Sequence, residues 1–285
     1  MSSFENFQEL IEDVEELPTL PTVLVEINKL LQDPRTSSEE VGQAIMNDQA
    51  LASRVMKLVN SAFYGFPGRI NTISHAISLL GFLTVRNVVI TASIIGTFGD
   101  DKNEDGLNLK AFWEHSVATA AIAKLIAKTS KIQATEETFI AGLLHDLGKL
   151  LLQLYLREDY QEVFAYMKKK PSLIREAEEK VLGFNHSDAG AWLAQKWNLP
   201  QEIRSVIEFH HTPMSASSDK SLCAAVHLAD VIVRGLEIGS GGDPFIPEID
   251  PEVWKYLEMN EDKLKLIIQN SKAQIERASI FMQII

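Results

Sequence analysis

The stretch TFIAGLLHDLGKLLL, residues 138–152, decides the fold around which the rest of this chain is interpreted. Its apolar residues predict one long buried helix, and His145 with Asp146 form an adjacent polar pair inside it. Burying a charge in an apolar helix is costly unless a partner compensates it. A metal ion at the pair would be such a partner, and a solvated helix end at His145 is the alternative. The stretch alone leaves both open.

Composition and charge restrict the class of protein. The chain has 285 residues, of which 46% are hydrophobic, and a net charge of −12. The negative charge opposes binding to nucleic acid or to an anionic membrane, because such binding depends on Lys and Arg. The weakly polar run 88–98 is too short to span a bilayer, and no apolar signal-peptide core follows the acidic N-terminus. The sequence therefore predicts a globular, cytoplasmic protein without nucleic-acid or membrane partners.

Helical periodicity runs through almost every segment, and no stretch shows the sustained alternation that is typical of a strand. Three apolar segments are preceded by residues that can cap a helix, so Ser37, Asp48 and Asn108 are predicted N-caps. The two prolines of residues 17–21 predict an extended turn between helices. The sequence thus predicts an all-α, multi-helix bundle.

Polar runs suggest how this bundle is divided. The acidic run 99–106 predicts a loop between an N-terminal helical lobe, residues 1–106, and a second lobe, residues 107–238. The glycine-rich run 239–244 predicts another loop, after which two closing helices pack on the body. We assign residues 239–285 to this C-terminal part.

Seven His and Asp residues in or beside apolar helices could carry chemistry. They are His115, His145, Asp146, His186, His210, His211 and Asp230. Each histidine alone could be a satisfied core or surface residue, whereas the set favours one or two divalent transition-metal ions, of Fe, Mn, Ni, Co or Zn. Gly190, one turn after His186, leaves room for another helix or a ligand. His227 could orient Asp230 or replace one of the ligands.

The order of these residues resembles the HD superfamily of metal-dependent phosphohydrolases. The motifs His-Asp-x-Gly-Lys at 145–149, His-x-x-x-Gly at 186–190 and His210-His211 are similar to those of its HD-GYP branch. After His211, however, residues 212–215 read Thr-Pro-Met-Ser, and a Gly-Tyr-Pro signature is missing. This departure counts against hydrolysis of a cyclic dinucleotide.

The N-terminal half resembles the HDOD family, the HD-related output domain of bacterial signalling proteins. Four motifs carry this resemblance: LPTLP at 17–21, DQAL at 48–51, NSAFYG at 60–65 and AISLLG at 76–81. Together with the His and Asp motifs, the resemblance covers roughly residues 17–235. It implies an HD-superfamily helical bundle.

The resemblance implies two metal positions that share one carboxylate. Its ligands for the first are His115, His145, Asp146 and Asp230. Its ligands for the second are His186, His210 and His211, with Asp146 bridging. In an active enzyme Asp146 and Lys149 would be catalytic, with Lys149 contacting a phosphate. Glu178 is a further candidate, either as a ligand or as an outer acceptor.

Two functions follow from these resemblances. HDOD proteins are generally regarded as non-catalytic, so the first is a bacterial signal-transduction or regulatory protein with a mono- or dinuclear metal site. The sequence does not identify its signalling partner. The alternative is an active metal-dependent phosphohydrolase that acts on a nucleotide or a cyclic dinucleotide, and a nucleotide or phosphate ligand is expected in that case. The sequence leaves open whether the chain is an enzyme.

Overall fold

The described part of the chain consists of helices joined by turns and loops. The computed structural model describes residues 35–61, 63–98 and 106–283, with ten separate positions between 4 and 33, and none of these residues forms a strand. The predicted all-α, multi-helix bundle is confirmed. The predicted turn at 17–21 and most of the predicted loop 99–106 lie outside the described residues.

Contacts divide the chain into two compact units. Unit 1 comprises Met1–Leu17 and Lys102–Ile275, and unit 2 comprises Pro18–Asp101 and Glu276–Ile285. The division into domains at residues 106 and 238 stays a prediction.

Unit 2 contains α-helices of 8–17 residues, and three of those with described bounds begin at a side-chain cap. Its helices with described bounds are α1 (Ser38–Met46), α2 (Gln49–Val59), α3 (Ile73–Leu80), α4 (Phe82–Phe98) and the 3-10 helix Ser279–Gln283. The Ser37 hydroxyl accepts from the Glu40 amide and the Asp48 carboxylate accepts from the Leu51 amide. Each side chain thereby satisfies a backbone donor that the first turn leaves free, and both predicted N-caps are confirmed.

Unit 1 carries the remaining helices with described bounds. They are α5 (Leu109–Thr129), α6 (Thr135–Leu144), α7 (Leu147–Tyr155), α8 (Arg157–Lys169), α9 (Ile174–Val181), α10 (His186–Lys196), α11 (Gln201–Phe209), the 3-10 helix Pro213–Ser215, α12 (Lys220–Gly235), α13 (Pro251–Tyr256) and α14 (Glu261–Ala278), whose last three residues belong to unit 2. Asn108 caps α5, as predicted. Helix α5 packs against α6 and α12, and buried Ala, Val, Leu and Ile side chains fill the space between them.

The predicted long helix over residues 138–152 is interrupted. Helix α6 ends at Leu144 and α7 begins at Leu147, so His145 and Asp146 form the junction between them. Asp146 has φ −96° and ψ 13°, outside the α-helical region. Both residues of the polar pair are only 1% exposed, which excludes the alternative of a solvated helix end.

Two glycines bring α7 and α10 into backbone contact. A Cβ atom on Gly148 would lie 1.8 Å from the His186 carbonyl oxygen, and one on Gly190 would lie 3.0 Å from the Gly148 amide nitrogen. The room that Gly190 was predicted to leave is therefore filled by a helix. This crossing brings His186 to the Asp146 junction.

The length and polarity of the described helices bear on membrane insertion. Among them no single helix is long and apolar enough to cross a membrane. One pair of segments, Thr135–Tyr155 and Arg157–Lys169, has the length and composition of a span but is bent by 113°.

Candidate metal centre

Several elements of unit 1 contribute the predicted site residues. His115 lies on α5, His145 and Asp146 at the α6–α7 junction, His186 at the start of α10, His210 and His211 directly after α11, and Asp230 on α12. All of them are buried except His211, which is partly exposed. The structure thus assembles all seven predicted residues, from more than a hundred positions of sequence, in one region.

The Asp146 carboxylate occupies the centre of this region. Its Oδ1 atom lies 3.3 Å from His186 Nε2 and 3.6 Å from His210 Nε2. Its Oδ2 atom lies 3.2 Å from His145 Nε2 and 4.0 Å from His115 Nε2. Each carboxylate oxygen therefore faces a different pair of imidazoles.

Buried polar atoms around Asp146 have no hydrogen-bond partner. They are Asp146 Oδ1 and the Nε2 atoms of His115, His145 and His210. His115 Nε2 lies 3.0 Å from Asp230 Oδ1, but out of alignment for a hydrogen bond. Leaving such atoms unsatisfied in a buried position is costly, and native proteins rarely do so without a reason. A cation between them would satisfy several at once.

The opposite edges of three imidazole rings are fixed by hydrogen bonds. Nδ1–H of His145 donates to the Gly142 carbonyl oxygen at 2.8 Å, and Nδ1–H of His210 donates to the Ile207 carbonyl oxygen at 3.0 Å. These bonds place the ring proton on Nδ1 and leave the Nε2 lone pair for a metal ion.

Glu178 holds the third ring, that of His186. Its Oε2 atom accepts from His186 Nδ1–H at 2.6 Å and from the His186 amide at 2.9 Å, while its Oε1 atom accepts from the Tyr160 hydroxyl at 2.8 Å. Glu178 is therefore placed as an outer acceptor, one of the two roles expected from the sequence.

Two groups of atoms are close enough to hold a metal ion. In the first, single ligand atoms of His115, His145 and Asp146 all lie within 4.8 Å of one another, and in the second the same holds for Asp146, His186, His210 and His211. Asp146 is common to both groups. Asp230 belongs to neither group: its Oδ1 atom lies 3.0 Å from His115 Nε2 and accepts from Arg234 Nε at 3.0 Å.

Electrostatics favours the metal-binding protonation states of Asp146, His210 and His211. Burial raises the pKa of Asp146, but the His145 imidazole and the Lys149 ammonium outweigh burial and hold this pKa well below its usual range. Burial lowers the pKa of His210 to about 4 and holds the pKa of His211 well below its usual value. An ionised carboxylate beside neutral imidazoles is the form that binds transition metals. For His186, burial is outweighed by Glu178, which raises the pKa.

Comparison with known proteins identifies the family. The family model of the HDOD domain matches residues 17–213. This chain belongs to the HDOD family. An HDOD domain protein of unknown function from Geobacter sulfurreducens is similar to it, with 26% identity and a TM-score of 0.79 over 98% of this chain and 96% of that one.

Two further proteins resemble the HDOD chain. A candidate phosphohydrolase from Shewanella amazonensis SB2B is 24% identical, with a TM-score of 0.74 over 97% of this chain and 98% of that one, which supports the fold alone. An uncharacterised protein from Treponema pallidum (strain Nichols) is 29% identical over 231 residues, or 79% of this chain. The HDOD chain spans only 43% of the length of that relative.

Lys149 of the HDOD chain is fully buried. Its ammonium donates to Asp146 Oδ2 at 2.6 Å and to the Gly241 carbonyl oxygen at 2.8 Å.

His227 binds backbone groups: its Nδ1–H donates to the His210 carbonyl oxygen at 2.8 Å, and its Nε2 atom accepts from the Asp250 amide at 3.3 Å. His227 therefore supports the backbone of a neighbouring histidine, a role that its spacing from Asp230 did not indicate.

The sequence predicted the glycine-rich loop, but neither its contact with the site nor the part played by Arg234. The Arg234 guanidinium contacts Asp230, and its Nη1 atom donates to Asp243 Oδ2 at 3.1 Å. The spacing of four residues between Asp230 and Arg234 on one helix was a usable signal for this ion pair. Nothing local indicated that the loop containing Gly241 and Asp243 would cover the site.

Two cavities adjoin the site of the HDOD chain: one, of about 390 Å³, is lined in part by His115, Arg234 and Gly241, and the other lies beside His211. The volume of the cavity beside His211 is about 430 Å³, and its lining includes His211, Arg175, Glu176, Arg234 and Glu248. Of the predicted site residues, His211 is the one that faces this cavity.

Proposed function

We propose that this HDOD chain is a metal-binding regulatory module of bacterial signal transduction. One observation carries the proposal: buried, unpaired nitrogen and oxygen atoms converge on the two sides of Asp146. Their chemistry, imidazole nitrogen with carboxylate oxygen, suits Fe, Mn, Ni, Co or Zn. The residues present therefore fit one or two divalent ions.

The two sides of Asp146 supply the proposed ligands. His115, His145 and Asp146, with Asp230 alongside, would hold one ion. His186, His210 and His211 would hold the second, with Asp146 shared. The outer bonds from Glu178, Gly142 and Ile207 keep the imidazoles in orientations that suit this role.

Burial favours a regulatory role over turnover. His115, His145, Asp146, His186 and His210 are at most 1% exposed, so their ligand atoms are closed to a large substrate. The nearby cations, Lys149 and Arg234, already donate to acceptors of the protein. We further propose a cytoplasmic location and a protein partner in a signalling pathway, in keeping with the net charge of −12 and the family.

A second candidate function is hydrolysis of a phosphoester, in a nucleotide or a cyclic dinucleotide. The cavity beside His211 favours it, because a substrate there would meet one edge of the second ligand group and the guanidinium of Arg175. When bound, a metal pair lowers the pKa of a water molecule and polarises a phosphoryl oxygen. Asp146 would hold its position between the two groups, and Lys149 would keep it ionised. The candidate phosphohydrolase from Shewanella amazonensis SB2B shares the fold.

Metal analysis and a turnover assay separate the two functions. The chain is purified without added metal, its metal content is measured, and it is assayed on bis-nitrophenyl phosphate and cyclic di-GMP. We expect one or two ions per chain and no turnover.

Two variants provide the controls. Asp146→Ala should lose the metal, whereas Asp262→Ala, at an exposed position on α14, should keep it. Turnover that Asp146→Ala loses and Asp262→Ala retains would support the phosphohydrolase instead. Absence of bound metal under every condition would refute both functions.

A further inference from the structure

Two buried cations connect the candidate metal centre to one loop. Lys149 donates to Asp146 Oδ2 at 2.6 Å and to the Gly241 carbonyl oxygen at 2.8 Å. Arg234 donates to Asp230 Oδ1 at 3.0 Å and to Asp243 Oδ2 at 3.1 Å. Each cation thus binds one carboxylate of the site and one acceptor of residues 239–243, which we call the latch loop.

The latch loop is seated against the site. The Ser240 amide donates to the Ala111 carbonyl oxygen on α5 at 2.9 Å. Gly239 has φ +64°, and a Cβ atom there would lie 2.3 Å from the His115 amide nitrogen. Asp243 Oδ2 also accepts from the Ile174 amide at 3.0 Å. The loop therefore contacts the backbone of one proposed ligand and two cations bound to others.

A divalent ion and the two cations would compete for the same oxygen atoms. The Lys149 ammonium lies on Asp146 Oδ2, the atom that faces His145 and His115. Arg234 lies on Asp230 Oδ1, the atom nearest His115. Like charges repel strongly where water is excluded, so an ion at this position weakens the hold of both cations on the carboxylates. Both cations also hold the latch loop, so binding of an ion at this position weakens the attachment of the loop as well.

We propose that the latch loop is a sensor of cation occupancy, held closed by Lys149 and Arg234 until a divalent metal takes Asp146 and Asp230. This inference rests on the proposed metal-binding function and adds its regulation. A change in the latch loop can alter the protein surface, because Phe245 and Ile246 follow the loop after Pro244 and are 39% and 58% exposed. Arg234 and Asp243 also bind the backbone of Phe245.

Hydrogen exchange measured by mass spectrometry tests the sensor. Peptides that contain the latch loop are followed in the full chain, metal-free and loaded with Zn²⁺ or Mn²⁺, with the bound metal quantified in the same samples. We expect metal to raise the exchange rate of the latch-loop amides about tenfold or more, since losing one hydrogen bond to a charged group changes an opening equilibrium by at least that factor. Peptides from α14 serve as an internal reference.

Variants test whether Lys149 holds the latch loop in response to metal or only stabilises the fold. Lys149→Met should raise latch-loop exchange in the metal-free chain and also tighten metal binding, because it frees Asp146 Oδ2. Lys124→Met is the matched control: it removes a partly exposed pair with Glu136 and should change neither property. Asp243→Asn weakens the attachment to Arg234 and leaves that to Lys149, so latch-loop exchange of the metal-free variant should rise toward the metal-loaded rate and respond less to metal than in the wild-type chain.

The outcomes separate this inference from the proposed function. No metal on the wild-type chain overturns both. Metal on the wild-type chain with unchanged or slower latch-loop exchange overturns the sensor alone. Unchanged or weaker metal binding by a folded Lys149→Met variant also overturns it. Should Lys149→Met not fold, Asp243→Asn overturns the sensor if its latch-loop exchange still responds to metal as in the wild-type chain.

Discussion

Substituting Gly148 by Ala should separate α7 from α10 and disrupt the candidate metal centre. The added Cβ atom would lie 1.8 Å from the His186 carbonyl oxygen and 2.8 Å from the Gly190 amide nitrogen. Both are backbone atoms, so no side chain can rotate away. Ordinary contact needs about 3.4 Å, so the two helices must move apart by about 1.6 Å.

The magnitude follows from this displacement. Overpacking usually destabilises by about 1–3 kcal/mol, and a clash between backbones belongs at the upper end or beyond. Ala has a better helix propensity than Gly, and this raises the free energy of unfolding by about 1 kcal/mol. We therefore expect Gly148→Ala to lower the free energy of unfolding by about 2–3 kcal/mol. Because His186 moves with α10, its Nε2 atom leaves Asp146 Oδ1, now 3.3 Å away, and metal binding should weaken as well.

Two other glycines supply a graded control for urea unfolding. At Gly190 the nearest atom to a Cβ would be Ile207 Cγ2, at 2.7 Å, which is movable, so we expect a smaller loss of about 1–2 kcal/mol. At Gly235 no atom lies within 4 Å of the position that a Cβ would take, and Gly235→Ala should be neutral or slightly stabilising. If Gly148→Ala unfolded within about 1 kcal/mol of Gly235→Ala and bound metal normally, the reasoning from helix contact would be refuted.

Three further predictions follow from single groups. Burial lowers the pKa of His210 from 6.5 to about 4. The free energy of unfolding of the metal-free chain should therefore have its full value above pH 6.5 and be lower by about 2 kcal/mol at pH 5. Urea midpoints that stay constant from pH 7 to pH 5 would contradict this. Glu178→Gln should lower metal affinity by about 10- to 100-fold in a folded chain, measured by calorimetry, whereas Glu179→Gln at the exposed neighbouring position should not. Burial raises the pKa of Cys223 to about 12, so its thiol should react with iodoacetamide only after unfolding, and modification of the native chain would show that the core around Cys223 opens.

The helices could be predicted because their signals are local. Ser37, Asp48 and Asn108 cap the helices that follow them, as their spacing indicates. The interruption between α6 and α7 could not be predicted in the same way, because the apolar run 138–152 continues through it. Packing around the buried His145 and Asp146 overrides a local preference for one continuous helix.

The candidate site was predictable as a set of residue types, and less so as a set of contacts. The histidines and Asp146 could be nominated because buried imidazoles and carboxylates need partners, and the family resemblance supplied their grouping. Asp230 was nominated with the others, yet the structure pairs it with Arg234 as well as His115. Such competition depends on side-chain direction, which a motif does not specify.

The sequence by itself determined the all-α class, the caps and the chemical types of donor available to a metal ion. These depend on neighbours within one or two helical turns. Only the tertiary structure decided which atoms meet: Lys149 binds the carbonyl of Gly241, 92 residues away, and Gly148 touches the backbone of His186. Such contacts are set by how helices cross, and a glycine or a lysine has the same local signature whether or not another chain segment arrives beside it.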